Sequence, residues 1–103
     1  MGMVRVVTFP DAGPEWPAVR DALTAGGVPV QMRMIDTMPA FPDEEPEEGW
    51  RELRLGLGGG MLTVRREVGT MSIVVWGNAD EALLRDQERL VKACAEAGGG
   101  TVT

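Results

Sequence analysis

The side chains that most often do acid–base or nucleophilic chemistry are scarce in this sequence. It contains no histidine and no tyrosine, and it has one cysteine, one serine and one lysine, namely Cys94, Ser72 and Lys92. A Ser-His-Asp triad, a Cys-His pair and a histidine-ligated metal site therefore cannot be assembled within one chain. Cys94 falls on the apolar stripe of a predicted helix, a position typical of a buried structural thiol. We expect neither a metal ion nor a cofactor.

Carboxylates are the groups that remain for catalysis. Glu52 and Glu67 have the chemistry of a general acid and base, but both fall on predicted strands among arginines. Cross-strand ion pairs are the usual arrangement for such residues. The sequence therefore favours a protein that is not an enzyme, with carboxylate catalysis as the alternative.

Two motifs resemble ligand-binding loops but lack the residues that such loops need. Gly56 and the glycines at 58–60 suit a phosphate loop, yet neither a helix nor a Lys-Ser/Thr pair follows them, which favours a hairpin turn. The five acids from Asp43 to Glu48 suit Ca²⁺ or Mg²⁺, yet they lack the alternating spacing and central glycine of a calcium loop. We interpret this run as a solvated loop.

The formal net charge of −6 comes from one short segment. Six acids and no bases lie between Asp36 and Glu48, and the rest of the chain has ten acids and ten bases. Phosphate backbones repel an acidic chain, and anionic lipids attract basic segments, which this sequence lacks. We therefore predict no nucleic-acid partner and no membrane binding. Three prolines among residues 36–49 predict a long acidic loop there.

The remaining global features predict one cytoplasmic domain. A single cysteine forms no internal disulfide, and the N-terminal residues show no secretory signal. No apolar run approaches the ~20 residues that cross a bilayer. Because two hydrophobic cores would not fit in 103 residues, we expect residues 1–103 to form a single domain.

The pattern of apolar and turn residues predicts five strands and two helices. A first helix begins near Pro14 or Pro17, buries Trp16, Val19 and Leu23, and ends at Gly26-Gly27. A second helix begins with Asn78 as its N-cap and ends at the glycines 98–100. The predicted strands cover residues 3–9, 28–35, 50–57, 61–67 and 70–76.

The order of these elements is β-α-β-β-β-β-α. Short turns between successive strands require antiparallel pairing, and two amphipathic helices must cover one face of the sheet. We therefore expect an α+β fold, a two-layer sandwich with an antiparallel sheet of about five strands and both helices on one face. This element order resembles one repeat of the TATA-binding-protein fold. The resemblance lies in topology and implies no function for this chain.

The sheet face opposite the helices is the candidate functional surface. Strand alternation predicts that Val4, Val6, Val30, Met32, Leu53, Leu55, Leu62 and Val64 face the helices. The opposite face would then carry Arg5, Arg33, Arg54, Arg65, Trp50 and Trp76, together with Met61, Val7 and Val74. Arginine and tryptophan are enriched at interface hot spots. A slip of one residue in a strand would invert its assignment.

These residues predict a small binding or assembly module. The partner would be a second copy of the chain or an acidic protein segment, and the acidic loop itself is a candidate occupant, in cis or from a neighbour. The alternative is a small anionic ligand, or an enzyme using carboxylates, at the same face, since guanidinium groups pair bidentately with carboxylate and phosphate. A solvated face with ladders of arginine and glutamate would have no binding role.

Overall fold

Two helices and a seven-stranded sheet make up the part of the chain that the computed structural model describes, residues 3–76 and 80–102. In chain order the elements are β1 (Met3–Thr8), α1 (Trp16–Ala25), β2 (Gln31–Ile35), β3 (Met38–Pro39), β4 (Glu52–Leu57), β5 (Gly60–Glu67), β6 (Thr70–Val75), α2 (Glu81–Gly98) and β7 (Thr101–Val102). The strand order across the open sheet is β3-β2-β4-β5-β6-β1-β7, and every neighbouring pair is antiparallel. The α+β class and the antiparallel sheet are confirmed.

The two strands beyond the predicted five lie at the edges of the sheet and have two residues each. β3 forms because the chain reverses at Asp36 and Thr37, which adopt positive φ angles of 47° and 71°. The Asp36 carboxylate holds this turn by accepting hydrogen bonds from the backbone N–H groups of Arg51 (2.8 Å) and Glu52 (2.9 Å). β7 follows Gly99, which ends α2 with a φ of 65°. Strands of two residues are too short to leave a periodic pattern in a sequence.

Both helices lie close to their predicted positions. α1 buries Trp16, Val19 and Leu23 as predicted, and Pro17 lies in its first turn, where a missing N–H costs nothing. The N-cap of α2 is Asp80, whose side chain accepts a hydrogen bond from the backbone N–H of Leu83 at 2.9 Å. Asn78, the predicted cap, lies outside the described residues.

One hydrophobic core joins the helices to the sheet. Its sheet side chains include Leu53, Leu55, Val64 and Ile73, and its helix side chains include Leu90. All five are exposed by 2% or less. The sheet therefore buries one set of alternate residues against the helices.

The alternation predicted for β1 is inverted. Val7 is completely buried on the helix side, and Arg5 shares that side, whereas Val4 and Val6 face away. β1 is apolar on both faces, so its own pattern does not select one. Pairing with β6 selects it instead, because Val7 lies opposite Met71, which is also completely buried.

β2 contains a bulge that the alternation rule does not anticipate. Met32 pairs with Leu55 and Ile35 pairs with Leu53, so both face the core. The register shifts between Met32 and Met34, and Met34 consequently lies opposite Arg54 on the other face. The extra residue of a bulge lets one strand change the parity of its side chains.

Two polar residues of α2, Asp86 and Gln87, are buried. Gln87 Nε2 donates hydrogen bonds to the carbonyl oxygens of Ile73 (3.0 Å) and Met3 (3.2 Å). Asp86 accepts a hydrogen bond of 2.6 Å from the backbone N–H of Gly59. The glycine cluster is thus the predicted β4–β5 hairpin turn, and it packs directly on α2. A Cβ on Gly59 would lie 2.7 Å from Asp86 Oδ2 and 2.8 Å from the backbone nitrogen of Leu83.

Gly59→Ala is expected to lower the free energy of unfolding by about 1–3 kcal/mol, since the added carbon would collide with the helix backbone. Gly58→Ala is the matched control, because a Cβ there meets nothing within 4 Å. We expect it to be neutral or to stabilise the chain by up to about 1 kcal/mol. Urea unfolding followed by tryptophan fluorescence measures both changes. Equal losses in the two variants would contradict the packing of this turn on α2.

Candidate functional site

The register of the long strands defines the face of the sheet that no helix covers, here called the open face. Thr63 lies opposite both Arg54 and Val74, and Val74 lies opposite Val4, so all four share this side. By the same pairings, the open face comprises Val4, Val6, Thr8, Gln31, Met34, Glu52, Arg54, Gly56, Met61, Thr63, Arg65, Glu67, Thr70, Ser72 and Val74. Arg33 at the bulge and Trp76 after β6 extend their side chains over it.

Four of the six predicted site residues come together on the open face: Arg33, Arg54, Arg65 and Trp76. The prediction was wrong for Arg5, whose guanidinium forms an ion pair with Glu88 of α2 on the opposite side of the sheet. Val7 was also assigned to the open face and lies in the core instead. Both errors follow from the inverted parity of β1.

The prediction was also wrong for Trp50, which is buried in the core with 3% of its surface exposed. Trp50 precedes the first residue of β4, so strand alternation does not govern its direction. The guanidinium carbon of Arg66 lies 4.2 Å from the centre of the indole ring. Arg66 also donates hydrogen bonds to the carbonyl oxygen of Trp50 (3.0 Å) and to the Glu15 carboxylate (2.6 Å). Trp50 therefore belongs to the packing of the core.

Arg66 is a structural residue that the sequence interpretation missed. Its cation joins the end of β5 to the start of α1, since Nη1 donates both to Glu15 and to the carbonyl oxygen of Pro14. The signal was present in the sequence. Leu62, Val64 and Arg66 alternate on β5, so a charge at the third position had to be buried with a partner.

The indole of Trp76 lies along the middle of the open face. Its Nε1 donates a hydrogen bond of 3.4 Å to the Thr63 hydroxyl, and the guanidinium carbon of Arg65 lies 5.5 Å from the ring centre. Thr63 and Val74 are each only 3% exposed although no helix lies above them, whereas Trp76 is 51% exposed. The indole therefore shields this part of the sheet and itself presents an apolar surface to solvent.

Arg33 and Arg54 differ from Arg65 in having no ion-pair partner among residues 3–76 and 80–102. Arg65 Nε lies 3.4 Å from the Glu52 carboxylate. Arg33 donates a hydrogen bond to the neutral side chain of Gln31 at 2.9 Å, and a Cβ on Gly56 would lie 3.1 Å from Arg33 Nε. Arg33 thus extends over Gly56, which lies two residues after Arg54 on β4. The pair forms a small cationic patch on the open face.

A depression of about 660 Å³ at one end of the open face is lined by Glu52, Arg65 and Glu67 together with Trp50 and Arg66. Two smaller depressions lie on the face itself. One depression of about 300 Å³ is lined by Arg33, Gly56 and Met61, and another of about 190 Å³ is lined by Met34, Thr37, Glu52 and Arg54. A cavity of about 750 Å³ lies between α1 and residues 42–44. Within the described part of the chain, no cluster of three or more acidic or cysteine side chains is placed to hold a metal ion. The open face is therefore a broad surface with depressions along it and at its end.

The acidic loop is held beside α1. Its Pro42 carbonyl accepts a hydrogen bond of 2.9 Å from the backbone N–H of Met32, and Glu45 forms an ion pair with Arg20. Ala40 packs against the core, whereas Met38 and Phe41 are 67% and 74% exposed. Neither side chain is packed on the chain's own open face.

Cys94 is buried with 1% of its surface exposed. Burial in apolar surroundings raises the pKa of its thiol from 9.0 to about 12. The thiol is consequently neutral at physiological pH, which agrees with a structural role.

Comparison with protein-family models, with curated protein sequences and with solved structures gives no match for this chain. Neither helix within the described residues has the length and apolar character needed to cross a bilayer.

Cys94 is expected to react with the disulfide reagent DTNB about 1,000-fold more slowly at pH 8 in the folded chain than in the unfolded chain, or slower still where access is limiting. The reason is the rise of the pKa from 9.0 to about 12 on folding. Since the folded chain keeps a proton that the unfolded chain loses, the free energy of unfolding should fall between pH 9 and pH 12. Absorbance at the reagent's product band gives the rate, with the chain in urea as the reference. Equal rates would contradict the burial of the thiol.

Proposed function

We propose that this chain is a binding or assembly module whose open face associates with a second copy or with an acidic segment of a partner. The observation that carries the proposal is the half-exposed indole of Trp76 on the same face as Arg33 and Arg54, two guanidinium groups without a carboxylate partner in the described residues. Large aromatic side chains and arginines supply most of the binding energy at protein interfaces. Arginine also pairs bidentately with carboxylates, which favours acidic partners.

The size of the open face suits a protein partner. Stable interfaces bury about 800 Å² on each partner. That area is about one seventh of this chain's accessible surface of 5989 Å². The five longer strands form a surface about 20 Å across, given strand spacings of about 4.8 Å. A broad surface of this kind suits a flat or convex protein segment better than a small molecule, which needs an enclosing cleft.

A small anionic ligand is the second candidate. The depression beside Arg33 and Gly56 is the observation in its favour, since a phosphate or carboxylate there would meet a free guanidinium group. Catalysis by Glu52 receives less support, because that carboxylate already lies against Arg65. Three further points stay predictions and do not support this function. They are the resemblance to a repeat of the TATA-binding-protein fold, the cytoplasmic location, and the absence of nucleic-acid and membrane partners.

Trp76→Glu is expected to weaken binding at the open face at least tenfold, which corresponds to about 1.4 kcal/mol. The reason is that the variant removes the exposed indole and adds a negative charge beside the arginines. Light scattering over a range of concentrations measures self-association. Calorimetric titration with a hexaglutamate peptide measures binding of an acidic protein segment, and titration with inorganic phosphate measures binding of a small anion.

Val68→Glu is the matched control, since Val68 is 98% exposed at the β5–β6 turn and lies off the open face. It should leave binding unchanged. A wild-type chain that stays monomeric at high concentration and binds no hexaglutamate would overturn the proposed function. Binding of phosphate alone would support the second candidate.

A further inference from the structure

Building on the proposed function of the open face, we infer that its occupant is residues 38–48 of a second copy, here called the acidic segment. The two surfaces have complementary character. The open face combines apolar side chains with unpaired arginines, and the acidic segment combines exposed apolar side chains with carboxylates.

The acidic segment displays the most exposed aromatic ring described in the chain. Phe41 is 74% exposed and Met38 is 67% exposed, and Asp43, Glu44, Glu47 and Glu48 are exposed on the same segment. Exposed apolar side chains cost free energy in water, and their burial would favour association. Five of the six acids that produce the net charge of −6 belong to this segment.

The receiving surface carries arginines and similar apolar groups, and Glu52 also lines the smaller depression. Arg33 and Arg54 adjoin the two depressions of about 300 and 190 Å³, and Met61 beside the larger depression is 45% exposed. Trp76 extends the apolar surface along β5. A segment that brings Phe41 to this surface would also bring carboxylates to the unpaired guanidinium groups, where charge-assisted hydrogen bonds form.

The acidic segment reaches a neighbouring copy and not the face of its own chain. The Pro42 carbonyl is bonded to the backbone of β2, the Glu44 carboxylate accepts a hydrogen bond of 3.2 Å from the Phe41 N–H, and Glu45 is bound to Arg20 of α1. These contacts hold the segment beside α1 with its Phe41 side chain directed to solvent. The segment begins with β3 and leads towards β4, and Arg33 and Arg54 lie on β2 and β4, so segment and receptor lie near the same edge of the sheet. The proposed dimer is an exchange of segments about a twofold axis, which closes the assembly and leaves no open chain.

The test compares one change on each surface. Phe41→Ser alters the acidic segment, Arg54→Glu alters the open face, and Val68→Ser is the matched control for loss of an exposed apolar side chain. Sedimentation velocity should show a dimer for the wild type and the control. Each of the other two variants should weaken the dimer at least tenfold, and urea unfolding checks that both remain folded. Raised salt should weaken the wild-type dimer because charged contacts are screened.

Mixing the two weakened variants gives the sharper result. An Arg54→Glu chain keeps its segment, and a Phe41→Ser chain keeps its open face, so a mixed dimer retains one of the two contacts. The mixture should associate more strongly than either variant alone. A dimer that Phe41→Ser leaves intact but Trp76→Glu dissociates would overturn this inference and leave the proposed function standing. The open face of one copy would then pack against the open face of the other. A wild-type chain that is monomeric but binds hexaglutamate would also overturn it, in favour of an acidic segment from another protein.

Discussion

Burial of one set of alternate side chains from the five longer strands is the constraint on which this structure depends. Leu53, Leu55, Val64 and Ile73 are almost completely buried on the side of the sheet that packs against the helices. Because side chains alternate along a strand, fixing these residues inward fixes their neighbours outward. The open face is thus a consequence of the core. It is formed by the alternate side chains of each strand that do not face the helices.

The arginines of the sheet differ in whether they lie on its helix side or on its open face. Arg5 and Arg66 lie on the helix side of the sheet, and each is compensated there, by Glu88 and by Glu15. A guanidinium in partly buried surroundings needs such a partner, since its desolvation costs several kcal/mol. Arg33 and Arg54 face solvent, where an unpaired charge costs little. That difference leaves Arg33 and Arg54 on the open face without a carboxylate partner in the part of the chain that the structure describes.

The distribution of charge separates two regions of one small molecule. The acidic loop carries the whole net charge, and its attachment to Met32 and Arg20 holds that charge beside α1. The open face combines cations with the half-exposed Trp76. Complementary charges of this kind are the basis of the association proposed above.

Periodicity in the sequence predicted the positions of both helices, the buried face of α1 and the hairpins that join β4, β5 and β6. It also predicted an uncovered face bearing Arg54, Arg65 and Trp76, because the leucines and valine of β4 and β5 alternate with Glu52 and Arg54 on β4 and with Thr63 and Arg65 on β5. Strong alternation gives one favourable orientation of a strand, since the other orientation would bury charges without partners.

The tertiary structure alone decided the remaining residues of the proposed site. β1 carries valines on both sides, so only its pairing with β6 directed Val7 into the core and Arg5 towards α2. Trp50 lies just before β4, where no strand pattern applies, and packing against Arg66 buried it. The spacing of apolar residues in a sequence shows which face of a strand is buried only when the two faces differ in polarity. When both faces of a strand are apolar, or a residue lies outside the strand, the choice of side depends on neighbours that are distant along the chain.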